Sequence, residues 1–394
     1  MSDKVIIIGG GASGLLCAYL IAQSGIDTTI IEKNKMVGRK LLSTGNGRCN
    51  FTNSSMDIGK YESCDGDTTF VENVLREYNY QRIIDLFSKL GIPSRDREGY
   101  YYPYNNQAIT FRDRLQEICE KKGVNIITDV TANRISCKNG KFLVYGDKEY
   151  ECDKLILATG GKAGPDVGGS GLGYKLARSL GHKISKVYPS LTGLVSKENF
   201  IEDVAGVRMQ GTAKLEIDGK ILGEEYGEIQ MVKDGISGIP IFQLSGRAGK
   251  AIDEGKSVNI LIDFLPEKKE EQLAKWLENV DNPLTCLVNN KWQRVMNKLH
   301  REGHSYEELL KRFSVPVCGT FGFERSQVTH GGVLISEVDM SNMESKVAPG
   351  LYLLGELLDV DGKCGGYNLH FAFATAAICA QSISGGKVSD ILSD

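Results

Sequence analysis

The chain has 394 residues, 41% apolar and 25% charged, which is ordinary globular composition and enough length for two or three domains. Its 47 basic and 50 acidic residues leave a formal net charge of −3, against the phosphate neutralisation that non-specific nucleic-acid binding needs; a local basic pocket for one anionic ligand stays open. No segment reaches the roughly 18–20 apolar residues of a membrane span. The ten cysteines contain no Cys-x-x-Cys pair, which suits reduced thiols in a cytoplasmic protein and neither a metal site nor a dithiol relay.

Val5–Ile8 is a continuous apolar run followed at once by glycines, a buried parallel strand and a turn rather than an export signal. Ala12 to Ser24 has helical composition with Gly25 as its stop, and Thr28–Ile31 is a second strand ending at Glu32. Together they predict a βαβ unit. Apolar residues recur at helical spacing from Phe70 to Leu90, and a further helix is expected near Thr110–Lys122. Tyr100–Tyr104, with Pro103 and the polar pair Asn105-Asn106, reads as a loop. Val124–Thr128 is a strand, residues 133–153 an antiparallel meander, and Leu155–Ala158 a return to the buried-strand pattern.

After residue 190 the pattern changes. Residues 191–262 read as β-rich, 267–313 as charged and helical, and from Val328 strands return before a final helix. The expected fold is therefore α/β: a Rossmann-type domain with a parallel sheet, formed by 1–190 and 328–394. An inserted β-rich substrate domain (191–265 and 314–327) and a helical subdomain (266–313) interrupt it.

Gly9-Gly10-Gly11-Ala12-Ser13-Gly14 fits G-x-G-x-x-G. Gly9 permits the tight turn, Gly11 lets the backbone approach a pyrophosphate, and Gly14 lets helix and strand pack closely. The phosphates then meet free N–H groups at a positive helix end, and Glu32 can accept hydrogen bonds from ribose hydroxyls. This predicts an adenine dinucleotide. The basic, glycine-rich run Gly38–Asn50 suits a long ligand reaching from phosphates to a flavin ring.

At Gly38-Arg39-Lys40-Leu41-Leu42-Ser43-Thr44-Gly45-Asn46-Gly47-Arg48-Cys49-Asn50 the chain resembles a known family. These are the two-dinucleotide-fold flavoproteins (BaiN-like) that include bile-acid double-bond reductases and aminoacetone oxidases. Ala158-Thr159-Gly160-Gly161, Gly168–Tyr174, Gly355–Gly362 and Gly365-Gly366-Tyr367-Asn368-Leu369 resemble further stretches of that family. The resemblance implies tightly bound FAD. Its contacts would begin with Gly9, Gly11, Ala12, Ser13 and Gly14, then Glu32 and Lys33. Arg39, Lys40, Thr44, Gly45, Asn46 and Asn50 would follow, with Val130 and Ala158, Thr159, Gly160 and Gly161. Gly355 and Glu356 would reach the ribityl and pyrophosphate, and Gly366, Tyr367, Asn368 and Leu369 would open a helix toward the flavin. The chain departs from the family at His370–Ala376 and at Tyr100–Tyr104, where substrate choice is in doubt.

Gly168–Gly173 lacks a strand directly before it and reads as a loop rather than a second nucleotide fingerprint. Cys49 and Cys364 read as packing thiols and His182 as structural. His330 is either a proton donor or a hydrogen-bonded structural histidine. The expected activity is reduction of a C=C bond conjugated to a carbonyl in a small hydrophobic substrate, with NAD(P)H as a transient electron donor. Arg48 would orient ring or carbonyl, and Tyr102, Tyr104 or His330 would supply the proton. An oxygen-using amine oxidase and a flavin-carrying RNA-modification or RNA-binding protein are the alternatives; no nucleic-acid partner is expected from the charge.

Overall fold

Residues 3–64 and 69–386 are described by the computed structural model of the chain. Two compact units divide it: Met1–Val187 with Val328–Asp394, and Tyr188–Gln327.

The first unit is built on a five-stranded parallel sheet in the order Leu351–Leu353, Lys154–Leu157, Lys4–Ile8, Asp27–Ile31, Asn125–Ile127. Val5, Ile6 and Ile7 are wholly buried, as an apolar run must be when both sheet faces are covered. The helix Ala12–Gln23 and the closing helix Tyr367–Ser384 are apolar on all sides and almost entirely buried. An antiparallel meander of Arg134–Lys138, Lys141–Tyr145 and Glu149–Cys152 follows the sequence expectation.

Two local readings are corrected. The helical pattern from Phe70 to Leu90 is two helices, Thr69–Glu77 and Tyr80–Lys89, because Asn79 leaves helical geometry and its side chain accepts from Arg82 N at 3.0 Å. The tyrosine run is a strand, Tyr100–Pro103, paired on both sides with Thr52–Asn53 and Ser94–Arg97. Tyrosine favours a pleated, half-buried surface, and Pro103 is tolerated as the strand's last residue.

The second unit holds a seven-stranded antiparallel sheet around the long hairpin Arg208–Ile217 and Lys220–Val232. Asp218 (φ 48°) and Gly219 (φ 77°) form its turn, matching the left-handed pair that tight hairpins favour. The β-rich segment 191–262 also contains the helix Ile239–Asp253. Pro240 is tolerated in its first turn, and Gly246 and Gly249 weaken its helical signature. A Cβ on Gly249 would lie 3.0 Å from the Thr320 methyl, so close packing explains that glycine.

The helices between 266 and 313 do not form a core of their own. Leu273, Trp292, Met296, Leu309 and Leu310 join the same buried cluster as sheet residues Leu215 and Ile260. Trp292 packs on Phe264 and Phe313 at centroid distances of 5.1 and 4.9 Å, while its buried indole N–H has no hydrogen-bond partner. Trp292→Ala should cost about 3–5 kcal/mol in urea unfolding. Trp292→Phe should cost less than about 1.5 kcal/mol, since it keeps an aromatic ring and removes an unsatisfied donor.

Candidate functional site

The site assembles at the carboxyl ends of the parallel strands, where open α/β sheets bind ligands. Gly9 leaves the first strand at φ 107°, and a Cβ there would lie 2.4 Å from the Ala158 carbonyl oxygen. A Cβ on Gly14 would lie 1.9 Å from Gly9 O. These two glycines thus set how closely helix, turn and neighbouring strand approach. Gly11 differs: a Cβ there meets nothing within 4 Å. The turn is closed on the protein side and open at Gly11, and the helix Ala12–Gln23 has no side-chain cap. Ser13 lies in its buried first turn.

Glu32 is buried at the end of the second strand. Its carboxylate accepts from Gly10 N at 2.8 Å and from Asn34 N and Nδ2 at 2.8 and 2.6 Å, tying the glycine turn to the loop that follows. Val130 N donates to the Glu32 carbonyl at 3.1 Å. Burial holds the Lys33 ammonium below its ordinary range, opposed by the charge of Glu32 and aided by that of Arg39. Arg39 reaches Asn34 Oδ1 at 3.4 Å.

The chain's two ends meet at Lys40 and Glu356, whose Nζ and Oε2 are 2.6 Å apart. Glu356 Oε1 also accepts from Thr329 N at 3.1 Å. Thr329 Oγ1 in turn accepts from Lys162 N and Ala163 N at 2.8 and 3.0 Å, just beyond the Ala158–Gly161 turn. A Cβ on Gly161 would lie 2.5 Å from Thr329 Oγ1 and 2.6 Å from Glu356 Oε1. Gly355 (φ 61°) lies against Ser13 and Ala372, bringing the last strand beside the first turn of the first helix.

The loop from Lys40 to Gly47 breaks helical geometry at Thr44, and Gly45 and Asn46 are left-handed at φ 55°. Cys49 is also left-handed, at φ 59°, and fully buried; burial pushes its thiol up to about 12 despite a hydrogen bond from Thr44, as befits an inert packing thiol. Cys364 is likewise pushed up to about 12 by burial. Asn50 Oδ1 is buried without a hydrogen-bond partner and lies 2.9 Å from where a Cβ on Gly366 would be. Gly366 (φ 94°) starts the closing helix without a side-chain cap. Asn368 spends both side-chain atoms on Gly362, accepting from its N at 2.8 Å and donating to its O at 2.7 Å. Tyr367 is buried, its carbonyl accepting from Tyr61 OH, and Leu369 is half-buried beside it. The open face at Gly11 and the two uncapped helix starts fit the phosphates of a bound dinucleotide, and the buried, unpartnered Asn50 Oδ1 fits an N–H donor of the same ligand.

The expected catalytic residues separate into two groups. Tyr102 is half-buried beside Gly45; burial raises its phenol above the ordinary range, countered by the charge of exposed Arg48. Tyr104 is 57% exposed, with the Arg95 guanidinium 4.4 Å from its ring centroid. His330 lies apart, buried, with Nδ1 2.7 Å from Asp361 Oδ1. Burial opposes its charged form, but the Asp361 carboxylate and the Cys64 thiol outweigh that and push the imidazole up to about 11. Asp361 was missed, although it lies in the quoted C-terminal motif; nothing in sequence pairs it with His330.

His370, a departure from the family pattern, is structural. Its Nε2 faces Tyr78 O at 2.9 Å and its Nδ1 faces Thr52 Oγ1 at 2.8 Å, so the neutral ring donates to the carbonyl and accepts from the hydroxyl. Burial holds it down to about 4. His182 joins Glu337 and Ser345 at 3.0 and 2.7 Å. Gly168–Gly171 is a loop that leads into the helix Leu172–Ser179, where a Cβ on Gly173 would lie 1.8 Å from Thr159 Oγ1.

A family model described as the HI0933-like protein Rossmann domain matches residues 3–382. A 3-dehydro-bile acid delta(4,6)-reductase of Clostridium scindens is 36% identical, covering 96% of this chain and 98% of that protein. A ribosomal RNA dihydrouridine synthase of Escherichia coli is 30% identical, covering 98% of each. Among solved structures, the 3-ketosteroid-delta4-(5alpha)-dehydrogenase of Rhodococcus jostii RHA1 aligns with a TM-score of 0.53 over 98% of this chain and 97% of that one; at 14% identity this is a likeness of fold.

The raised imidazole of His330 gives a signed expectation. Its proton stabilises the fold fully below about 6.5, and that contribution is lost as pH rises through about 11. Urea unfolding of wild type and Asp361→Asn should therefore show a gap that narrows between pH 6.5 and 10. A gap constant with pH would mean the pair does not hold the proton.

Proposed function

The chain belongs to the HI0933-like Rossmann family of flavin-dependent oxidoreductases, and on that footing we propose that it uses NAD(P)H to reduce a C=C bond conjugated to a carbonyl. The observation that carries this reading is the full-length kinship with a bile-acid double-bond reductase, on a site where residues 9–14, 40–50, 158–161 and 355–369 converge.

Bound FAD would supply two-electron chemistry at its ring, and the chain's residues would do the rest. The first turn of Ala12–Gln23 would take the pyrophosphate over Gly11, with Glu32 toward the ribose. Lys40 and Glu356 would close the cradle from opposite ends of the chain. Asn50 and the start of the closing helix would face the pyrimidine edge, where a positive helix end favours developing negative charge. Arg48 would orient the substrate carbonyl, and Tyr102, held protonated by burial, is the better placed proton donor of the two tyrosines. His330, buried on Asp361, would act through charge rather than by touching substrate. The preferred substrate is a small hydrophobic ring compound of bile-acid or steroid type.

A second reading has its own support in the dihydrouridine synthase relative, since uridine also carries a ring C=C conjugated to a carbonyl. Both readings share one reaction class and differ in what delivers the ring.

Two experiments bear on this. Under nitrogen, NADH or NADPH should bleach the bound flavin, and a cyclic enone should restore its colour without peroxide. If an amine bleaches it, neither nicotinamide does and oxygen restores it, the chain is an amine oxidase instead. Gly11→Ala should leave the melting temperature of the flavin-free chain within about 2 °C, because the new methyl meets open space, yet weaken FAD retention at least tenfold. Unchanged retention would remove the pyrophosphate from that turn.

A further inference from the structure

The strands Ser94–Arg97 and Tyr100–Pro103 sort their side chains by the two-residue period. In their register Arg95 stands opposite Tyr102 and Arg97 opposite Tyr100, so these four share one face. Asp96 and Tyr101 share the other, where Tyr101 packs near Tyr80 and Asp96 accepts from Gly99 N. Within the paired register the first face therefore carries two guanidiniums and no carboxylate. Arg48 adds a third beside Tyr102. The Arg95 guanidinium is 4.4 Å from the centroid of Tyr104, and that of Arg97 5.8 Å from the centroid of Tyr102.

This face adjoins the loops assigned to the flavin. A Cβ on Gly365 would lie 2.9 Å from the Tyr100 ring, and one on Gly45 would lie 3.4 Å from the Tyr102 ring. Asn53, opposite Tyr100 on the same face, donates to Gly365 O at 3.0 Å. Tyr100 and Tyr104 nevertheless remain 41% and 57% exposed. An apolar substrate calls for an enclosed pocket. Open tyrosines interleaved with arginines that pair with no carboxylate among the described residues call for a ligand made of flat rings and phosphates, because guanidiniums pair phosphate and rings stack on both.

We propose that this face docks NADPH, with Arg95 and Arg97 holding its phosphates and Tyr100 or Tyr104 stacking on one of its rings. The inference rests on the reading that a nicotinamide dinucleotide is the electron donor. It commits to the 2′-phosphorylated form because two guanidiniums on one face offer the pyrophosphate one partner and a phosphate monoester the other, which leaves Arg48 to the substrate. A donor docked here lies beside the loops around Gly45 and Gly365, where hydride has to arrive.

Calorimetric titration of the full-length, flavin-loaded protein tests it, using NADP+, NAD+ and a ten-residue uridylate oligomer as probes. NADP+ should bind several-fold more tightly than NAD+, with a difference that shrinks at high salt. Arg95→Ala/Arg97→Ala should weaken NADP+ at least tenfold without loss of FAD, and Arg95→Lys/Arg97→Lys should recover part of it. Wild-type affinity in the double alanine variant overturns the site, as does loss of the oligomer alone, which would make the face an RNA surface. NADPH that binds in this way yet never bleaches the flavin would sink the reductase reading and leave the site. Unchanged bleaching in the double variant would do the reverse.

Discussion

Everything at this site depends on how closely the first helix approaches the strand that leads into it. The Gly9 carbonyl occupies the space a Gly14 side chain would need, and the Ala158 carbonyl occupies the space beside Gly9. Backbone packed this tightly aims the start of Ala12–Gln23 at the open ends of the strands. There its unpaired N–H groups form a patch of partial positive charge. The open face at Gly11 is the complement of that crowding. Glu32 then fixes the turn from the adjacent strand by accepting from Gly10 N.

The second constraint is topological. Leu351–Leu353 is the edge strand of the same parallel sheet, next to Lys154–Leu157, so residues over 300 positions from the glycine turn arrive beside it. The Lys40–Glu356 pair and the Thr329 hydroxyl lock that arrival. The unit Tyr188–Gln327 is inserted between these halves in sequence, yet has its own sheet and its own aromatic core.

Much of this is legible in the sequence. Apolar runs such as Val5–Ile8 and Leu155–Ala158 identify buried parallel strands, because few other environments accept four consecutive apolar residues bounded by glycine or polar turns. The glycine spacing reports its own purpose, since each position answers a separate steric demand. What stayed hidden was decided by tertiary packing. The helix Ile239–Asp253 carries Gly249, which serves close contact with Thr320 and weakens the helical signature. Asp361 gives no sign that it holds a proton on His330, and His370 gives none that it is a neutral core bridge. The Tyr100–Pro103 strand reads as a loop in sequence because Pro103 and the asparagines beyond it mark its end. Once paired with Ser94–Arg97, its period-two pattern separates an arginine–tyrosine face from a packed one.

In the proposed arrangement both ends of the chain close on a single FAD. Its most direct test is a double-mutant cycle on FAD affinity with Lys40→Met, Glu356→Gln and the combined change. The wild-type protein should carry one FAD per chain, and each single change should weaken binding. Because the two groups share one contact, their effects should be coupled by about 0.5–3 kcal/mol. A chain that purifies without flavin and fails to take up FAD would overturn this arrangement, as would effects that simply add.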